Sequence, residues 1–383
     1  MNSKSMTRPK LIRIVASPAS LNTFLGEQMQ FMSQWYDVVG VASPGQGHEQ
    51  VRKAGIRTEE IYIARPIRLF SDCVSLFRLY RLFRKEKPTI IHSITPKAGL
   101  LSMIAGWLAG VPIRIHTFTG LLFPWRKGLM HHILKTTDRL TCLFATHINP
   151  EGNGVRQQLL DHHITHKTLT VLGHGNIRGI NLSTFSIKGT RAQTRMELGI
   201  PADAITFIFV GRVVKDKGIP ELIRAFATLL KERNVHLLLA GPQEPELDPL
   251  DEATLEEMKR NKTIHVLGPR QNIAELLEAS DVFVFPSHRE GFPTALLEAQ
   301  AMSLPCIATD ICGCNEIVVH KENGLLIPKE NEAALLSAMQ AMTDMPIEER
   351  TQWARNARSR IENYFTAEQV NANLLQFYRS IQS

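Results

Sequence analysis

The stretch "ITFIFVGRVVKDKGIPELIRAFATLLKERNVHLLLAG", residues 205–241, holds the fold in miniature. An apolar run from Ile205 to Val210 meets a glycine-bearing loop, "GRVVKDKG". "IPELIRAFATLLKER" then repeats apolar residues at helical spacing, and "VHLLLAG" is apolar apart from His236. Runs apolar on both faces suit buried parallel strands, and the amphipathic stretch between them suits a covering helix.

The same alternation runs outward in both directions. Upstream the strand candidates are "LIRIVAS", "VVGVAS", "IYIA", "IIHSIT", "IRIHTF", "HINP" and "TLTVLG"; downstream they are "IHVLG", "VFVFPS", "PCIATD" and "GLLIP". Strands alternating with helices predict an α/β fold of parallel sheets covered on both sides. A chain of 383 residues is too long for one ordinary core, so two doubly wound domains are expected. The break falls in the polar segment "NLSTFSIKGTRAQTRMELGIPADA". This gives a first domain over 1–184, a second over 185–365, and a last helix over 366–383 that packs back on the first. In such sheets ligands sit beyond the carboxyl ends of the strands, so the loops facing the cleft between the domains should carry the chemistry.

Composition narrows the class. Apolar residues make up 44% and charged residues 21%, as in a soluble globular protein. The net charge of +7 is unevenly spread: residues 1–183 carry 23 Lys and Arg against 10 Asp and Glu, and the remainder 21 against 27. A basic half suggests an anionic partner. The five cysteines form no two-pair metal pattern and read as free thiols in a reducing compartment. The longest uncharged stretch, "AGLLSMIAGWLAGVPI", is too short for a bilayer span, and Arg13 interrupts the first apolar run. A cytoplasmic protein is expected.

Two loops carry the strongest chemical signal. In "GRVVKDKG", Arg212 and Lys217 lie close enough for one short loop to aim both heads at one cleft. A planar fork and a mobile point charge together suit a diphosphate. The alternative is that Lys215 and Lys217 are solvated loop charges and Arg212 a surface ion pair. In "HREGFPTALLEA", Gly291 allows close backbone approach, and Pro293 suits a first helical position. The free amides around Thr294 then form an anion site at a helix start. Glu290 stands just outside that site and Glu298 eight positions later, about two turns in. Flanking carboxylates suit the hydroxyls of two sugars joined through the phosphates. Each glutamate alone also reads as an ordinary helix-start or helix-face charge.

"GRVVKDKG" followed by "PSHREGFPTALLEA" resembles the family-4 retaining glycosyltransferases of the GT-B fold, with their G-R-x4-K-G loop and E-x7-E motif. "LGPRQNIAELLEASDVFVFPS" and "NGLLIP" fit the same pattern, and the resemblance covers nearly the whole chain. It implies two Rossmann-like domains facing across a cleft, with a C-terminal helix crossing back to the first. It implies donor binding in the second domain: Arg212 and Lys217 on the diphosphate with Gly291, Phe292, Pro293 and Thr294, Glu290 on the donor sugar, Glu298 on the ribose and Arg270 near the base.

In the first half, "IIHSITPKAGLLSMIAGWLAGVPIRIHTFTG" and "VLGHGNIRGINLSTF" look like a bacterial subgroup that adds sugars to polyprenyl-diphosphate-linked precursors. The implied donor is a UDP-sugar and the implied acceptor a lipid-linked sugar at the anionic inner-membrane surface. Many relatives place a His directly before Gly or Asp after the corresponding strand; here Thr119-Gly120 stands there, with His116 three residues earlier. Either is a candidate catalytic contact, and His116 is alternatively a core residue. The first loop, "SPASLNTFLGE", lacks the family's Gly-Gly pair, leaving Ser17, Ser20 and Asn22 to supply hydrogen bonds or simply to cap a helix. Asn176 reads as a turn residue or as a phosphate contact.

No Asp-x-Asp pair occurs, so no metal is expected on the diphosphate, and no cofactor beyond the donor. "FPWRKG" is the better candidate for a membrane-facing loop, while "SLFRLYRLFRKEKP" reads as a helix with an apolar core face and a solvated basic one. A GT-B sugar-nucleotide epimerase shares the architecture, but the intact E-x7-E pattern argues against it. A dehydrogenase lacks its G-x-G-x-x-G fingerprint. A nucleic-acid binder has only the basic charge in its favour, and none is expected as a partner.

Overall fold

The computed structural model describes residues 8–64 and 66–382. Its first sheet is built from β1 (Lys10–Ile14), β2 (Asp37–Ala42), β3 (Arg57–Glu60), β4 (Ile90–Ile94), β5 (Ile113–Phe118) and β6 (His147–Pro150). Every pairing is parallel and the order is β3-β2-β1-β4-β5-β6. The second sheet contains β7 (Ile205–Val210), β8 (Val235–Ala240), β9 (Ile264–Gly268), β10 (Val282–Phe285), β11 (Cys306–Thr309) and β12 (Gly324–Ile327). Its order, β12-β11-β10-β7-β8-β9, is the same winding. Each half is therefore Rossmann-like, and in each the order reverses beside the first strand, between β1 and β4 and between β7 and β10.

Two sequence expectations move. β3 is "RTEE", and "IYIA" lies just past it. The strand is at the sheet edge and partly exposed, so it has no need to be apolar. "TLTVLG" contributes only the isolated bridge Ile148–Leu169 and is not a strand of the sheet.

Chain contacts divide the molecule between Gly179 and Ile180 and again between Ala367 and Glu368. The polar segment after Ile180 is no slack linker. Glu278 accepts from the Lys188, Gly189 and Thr190 amides, and Asp281 pairs with Arg191 and Arg195 at 2.7 Å. The helix Ala367–Ser380 belongs, from Glu368 onward, to the first unit. Its Tyr378 is fully buried, accepts from the Arg13 Nη1 at 3.0 Å and lies 2.7 Å from His92 Nδ1, while His92 Nε2 meets Thr117 Oγ1 at 2.7 Å. Burial holds Arg13 below the usual arginine range and His92 well below that of histidine, so the His92 ring is neutral. The buried Arg13 cation is met only in part, since its Nε has no hydrogen-bond partner among the described residues, and the row ties the last helix to β1, β4 and β5.

Candidate active site

The loops after β7 and β10 emerge side by side, because those strands are paired neighbours at the reversal of the second sheet. Glycine makes their approach possible. Gly218 has φ +70°, and a Cβ there would stand 2.1 Å from the Pro286 carbonyl oxygen. A Cβ on Gly241 would lie 1.7 Å from the Gly211 carbonyl oxygen, and one on Gly313 (φ +78°) 2.1 Å from that of Gly291. Four loops thus meet backbone to backbone, including the one after β11, which the sequence reading did not single out.

Across this junction the side chains are stapled. Lys217 Nζ donates to Glu290 Oε1 at 2.5 Å, with both side chains largely buried. Arg289 Nε donates to the Asp216 carboxylate at 2.8 and 2.9 Å, and the His288 amide donates to the Asp216 carbonyl at 3.0 Å. Arg212 Nη1 reaches Glu244 at 2.8 Å in the loop after β8, and the Thr309 hydroxyl holds the Ser287 carbonyl at 2.6 Å. Cations and carboxylates far apart in sequence are thereby held together at one switch point.

The helix after the second loop runs from Thr294 to Ala301. Pro293 is its N-cap, one position earlier than expected, and, lacking an N–H, cannot donate to an anion. Of the first-turn amides after it, Leu296 already donates to the Pro293 carbonyl at 3.2 Å, which leaves those of Thr294 and Ala295 for an anion. Glu298 is the fifth residue of the helix, so it lies about one turn in rather than two. The Phe292 side chain is 5% exposed and its ring packs 5.7 Å from Phe365, so only its backbone is available to a ligand. Arg270 is exposed, two residues beyond β9 at the sheet edge.

In the first unit, His116 is a core residue. It is 1% exposed, its Nδ1 lies 2.9 Å from Ser93 Oγ, and its ring fills the space beside Gly99. Burial brings its pKa down to about 3. Thr119, just past β5, is partly exposed and is the better placed of the two candidates. Ser17 occupies the N-cap of the helix Pro18–Thr23 without a side-chain cap bond, and Ser20 and Asn22 lie within that helix. Asn176 is a turn residue: φ is +67° and its Oδ1 accepts from the Arg178 and Gly179 amides at 3.0 and 2.7 Å. Missed altogether was the polar row of Arg13, His92 and Thr117. Its signal was polar residues recurring inside strands otherwise rich in isoleucine, as Arg13 in β1, His92 and Ser93 in β4, and His116 and Thr117 in β5.

His288 offers a pH handle. The neighbouring Glu221 carboxylate, with its Oε1 3.3 Å from Nε2, raises its pKa above the ordinary histidine value. The stabilisation is complete below about pH 6.5 and fades as pH rises through the raised folded value. His288→Gln should remove that slope. Unfolding midpoints from about pH 5.5 to 8.5 check it: the gap between wild type and variant should shrink as pH rises.

Comparison with known proteins gives the family and the fold. The family described as "Glycosyl transferases group 1" matches residues 190–360, and the "Glycosyl transferase 4-like domain" matches residues 28–173. The chain is 31% identical over 378 residues to the capsular polysaccharide biosynthesis glycosyltransferase CapM of Staphylococcus aureus, covering 98% of both. It is 31% identical over 317 residues to the Escherichia coli UDP-Gal:alpha-D-GlcNAc-diphosphoundecaprenol alpha-1,3-galactosyltransferase, covering 79% of this chain and 78% of the relative. Among solved structures, Anabaena Alr3699/HepE in complex with UDP and glucose superposes with a TM-score of 0.82 at 18% identity, over 97% of this chain and all of that one. A glycosyltransferase from Rickettsia africae ESF-5 gives 0.82 at 19%, over 98% and 99%. At these identities the structural likeness is one of fold, the two-Rossmann GT-B architecture.

Proposed function

Since the chain belongs to the group 1 glycosyl transferases, we propose that it moves a sugar, an N-acetylhexosamine or a related one, from a UDP-sugar to a polyprenyl-diphosphate-linked acceptor in surface polysaccharide assembly. The observation that carries the donor half is the Lys217–Glu290 ion pair across the β7/β10 switch point. Donor entry trades this pair for two better partners. Lys217 and Arg212 turn to the diphosphate, and Glu290, released from Lys217, accepts from a hydroxyl of the transferring sugar. The first-turn amides after Pro293 take a phosphate oxygen, and Glu298 accepts from the ribose.

Charge growing on the leaving UDP then meets cations and amides already in position, which is preorganised electrostatic stabilisation. Anomeric configuration is retained by front-face attack, the leaving phosphate taking the proton of the acceptor hydroxyl. The lipid-linked acceptor is supported by the undecaprenol-linked substrate in the name of the Escherichia coli relative, and the UDP by the Anabaena complex. Thr119 in the first unit is the proposed contact for the sugar. Peripheral attachment to the cytoplasmic face of the inner membrane fits a chain in which, among the described residues, no helix is long and apolar enough to cross a membrane.

The test is thermal stabilisation by UDP, GDP, ADP and their sugars, in wild type and Glu298→Ala. At about one hundred times Kd a ligand adds about 2.7 kcal/mol, a shift of several degrees. UDP should give it in wild type and much less of it in the variant. A shift with GDP alone would replace the donor class, and none with any nucleotide would end the reading. Transfer of labelled sugar to a lipid-linked acceptor follows.

A further inference from the structure

The helix Leu69–Glu86 is half out of the molecule. One face buries Ser75, Leu79, Leu82 and Phe83. On the other, Leu69 is 78% exposed, Phe70 86% and Phe77 58%, with Val74 and Cys73 beside them. Large apolar side chains this far into water are informative when they adjoin one another, and Phe70, Val74 and Phe77 fall on one stripe at helical spacing. The stripe continues into a second chemistry. Arg78, Arg81, Arg84 and Lys85 are all exposed over the following turns. The helix has two carboxylates, and both are engaged elsewhere: Asp72 with Lys97 at 2.9 Å, and Glu86 with Lys10 and Arg57. The exposed face is therefore apolar, then cationic, with no accessible acid.

We propose that this face is a docking surface for an anionic lipid bilayer: Leu69, Phe70, Val74 and Phe77 enter the acyl boundary, and the arginines and Lys85 meet the headgroups. A second protein copy offers no reason for the basic half. A nucleic acid leaves Leu69 and Phe70 unexplained, since aliphatic insertion is not how a backbone of phosphates is held. Position agrees. A helix connecting parallel strands runs back against them, so the apolar start of this one lies at the carboxyl edge of the first sheet, after β3. Thr119, the proposed sugar contact, follows β5 at that same edge. A lipid-linked acceptor held in the bilayer would present its sugar from the side where this helix inserts. The inference departs from the sequence expectation on two counts. This helix presents an apolar stripe to solvent as well as a basic one. In "FPWRKG", Phe123 is fully buried, packed against His131 and His162, which leaves Trp125 as the exposed aromatic.

The inference supplies the membrane partner of the proposed reaction and rests on that reading only for its purpose. Vesicle sedimentation needs neither donor nor acceptor. Full-length protein should co-sediment with phosphatidylglycerol–phosphatidylcholine vesicles and much less with pure phosphatidylcholine. Phe70→Ser with Phe77→Ser should weaken partitioning at least tenfold, and Arg81→Gln or Arg84→Gln about fivefold each. Arg355→Glu, an exposed charge of the other unit, should change it less than twofold. Both stripe residues are exposed, so the double variant should fold, and an unchanged UDP thermal shift verifies it. Equal binding by wild type and double variant overturns the proposal. So does loss of a dimer, or of RNA retention, without loss of vesicle binding. Vesicle binding with no nucleotide shift would instead sink the donor reading and leave this one standing.

Discussion

Lys217→Ala should lower kcat/KM by about 10²–10³-fold, the size expected when one preorganised charge or donor is taken from a developing anion. Glu290→Gln costs a comparable amount for a different reason. It keeps the shape but loses the charge that holds Lys217 in place before the donor arrives and that accepts from the sugar afterwards. Because the two side chains are partners at 2.5 Å, their losses should not add. The double variant should be little worse than the poorer single one. Steady-state kinetics with saturating acceptor, together with UDP binding, separate the roles. Lys217→Ala should weaken UDP itself, whereas Glu290→Gln should leave UDP nearly unaffected and slow turnover of the UDP-sugar. Strictly additive losses would mean that the ion pair is incidental to catalysis.

Gly218→Ala should cost far more than Gly199→Ala, although the two glycines have nearly the same backbone, φ +70° and +66°. Placing any L-residue in that region costs about 1–2 kcal/mol. At Gly199 that is the whole penalty, since a Cβ would meet nothing within 4 Å. At Gly218 the Cβ would stand 2.1 Å from the Pro286 carbonyl, backbone of the loop after β10, which must move. That movement pulls Lys217 away from Glu290 and breaks the staple that aligns the site. We expect at least about 3 kcal/mol lost, a fall in Tm of roughly 4 °C for a chain of this length, and no stabilisation by UDP. Paired thermal scans of the two variants, with and without UDP, check it. Equal losses at both positions would show that the two loops have slack the geometry does not suggest.

Much of this was legible in residue order. Alternating buried runs and amphipathic stretches announce parallel sheets, and "GRVVKDKG" and "HREGFPTALLEA" mark the proposed anion site, because loop chemistry and helix-start amides are local properties. β3 was misplaced because an edge strand can afford "RTEE". The buried row from Arg13 to Thr117 was missed because burial of a polar side chain depends on what lies on the far side of the sheet. Here that is Tyr378, more than 360 residues away from Arg13. His116 shows the same limit in reverse: nothing in its neighbours in sequence reveals that Gly99 makes room for its ring in the core.

Sequence alone therefore determined the fold class and the two doubly wound halves, and it singled out the two loops proposed to hold the donor. These follow from periodicity, glycine placement and charge type, which act over a few residues. Tertiary structure decided which charges are partners, which aromatics are core and which face of the helix Leu69–Glu86 is left to water. Each of those is set by strand order, which brings β7 beside β10 and β1 beside β4 and so puts distant side chains within one hydrogen bond of each other.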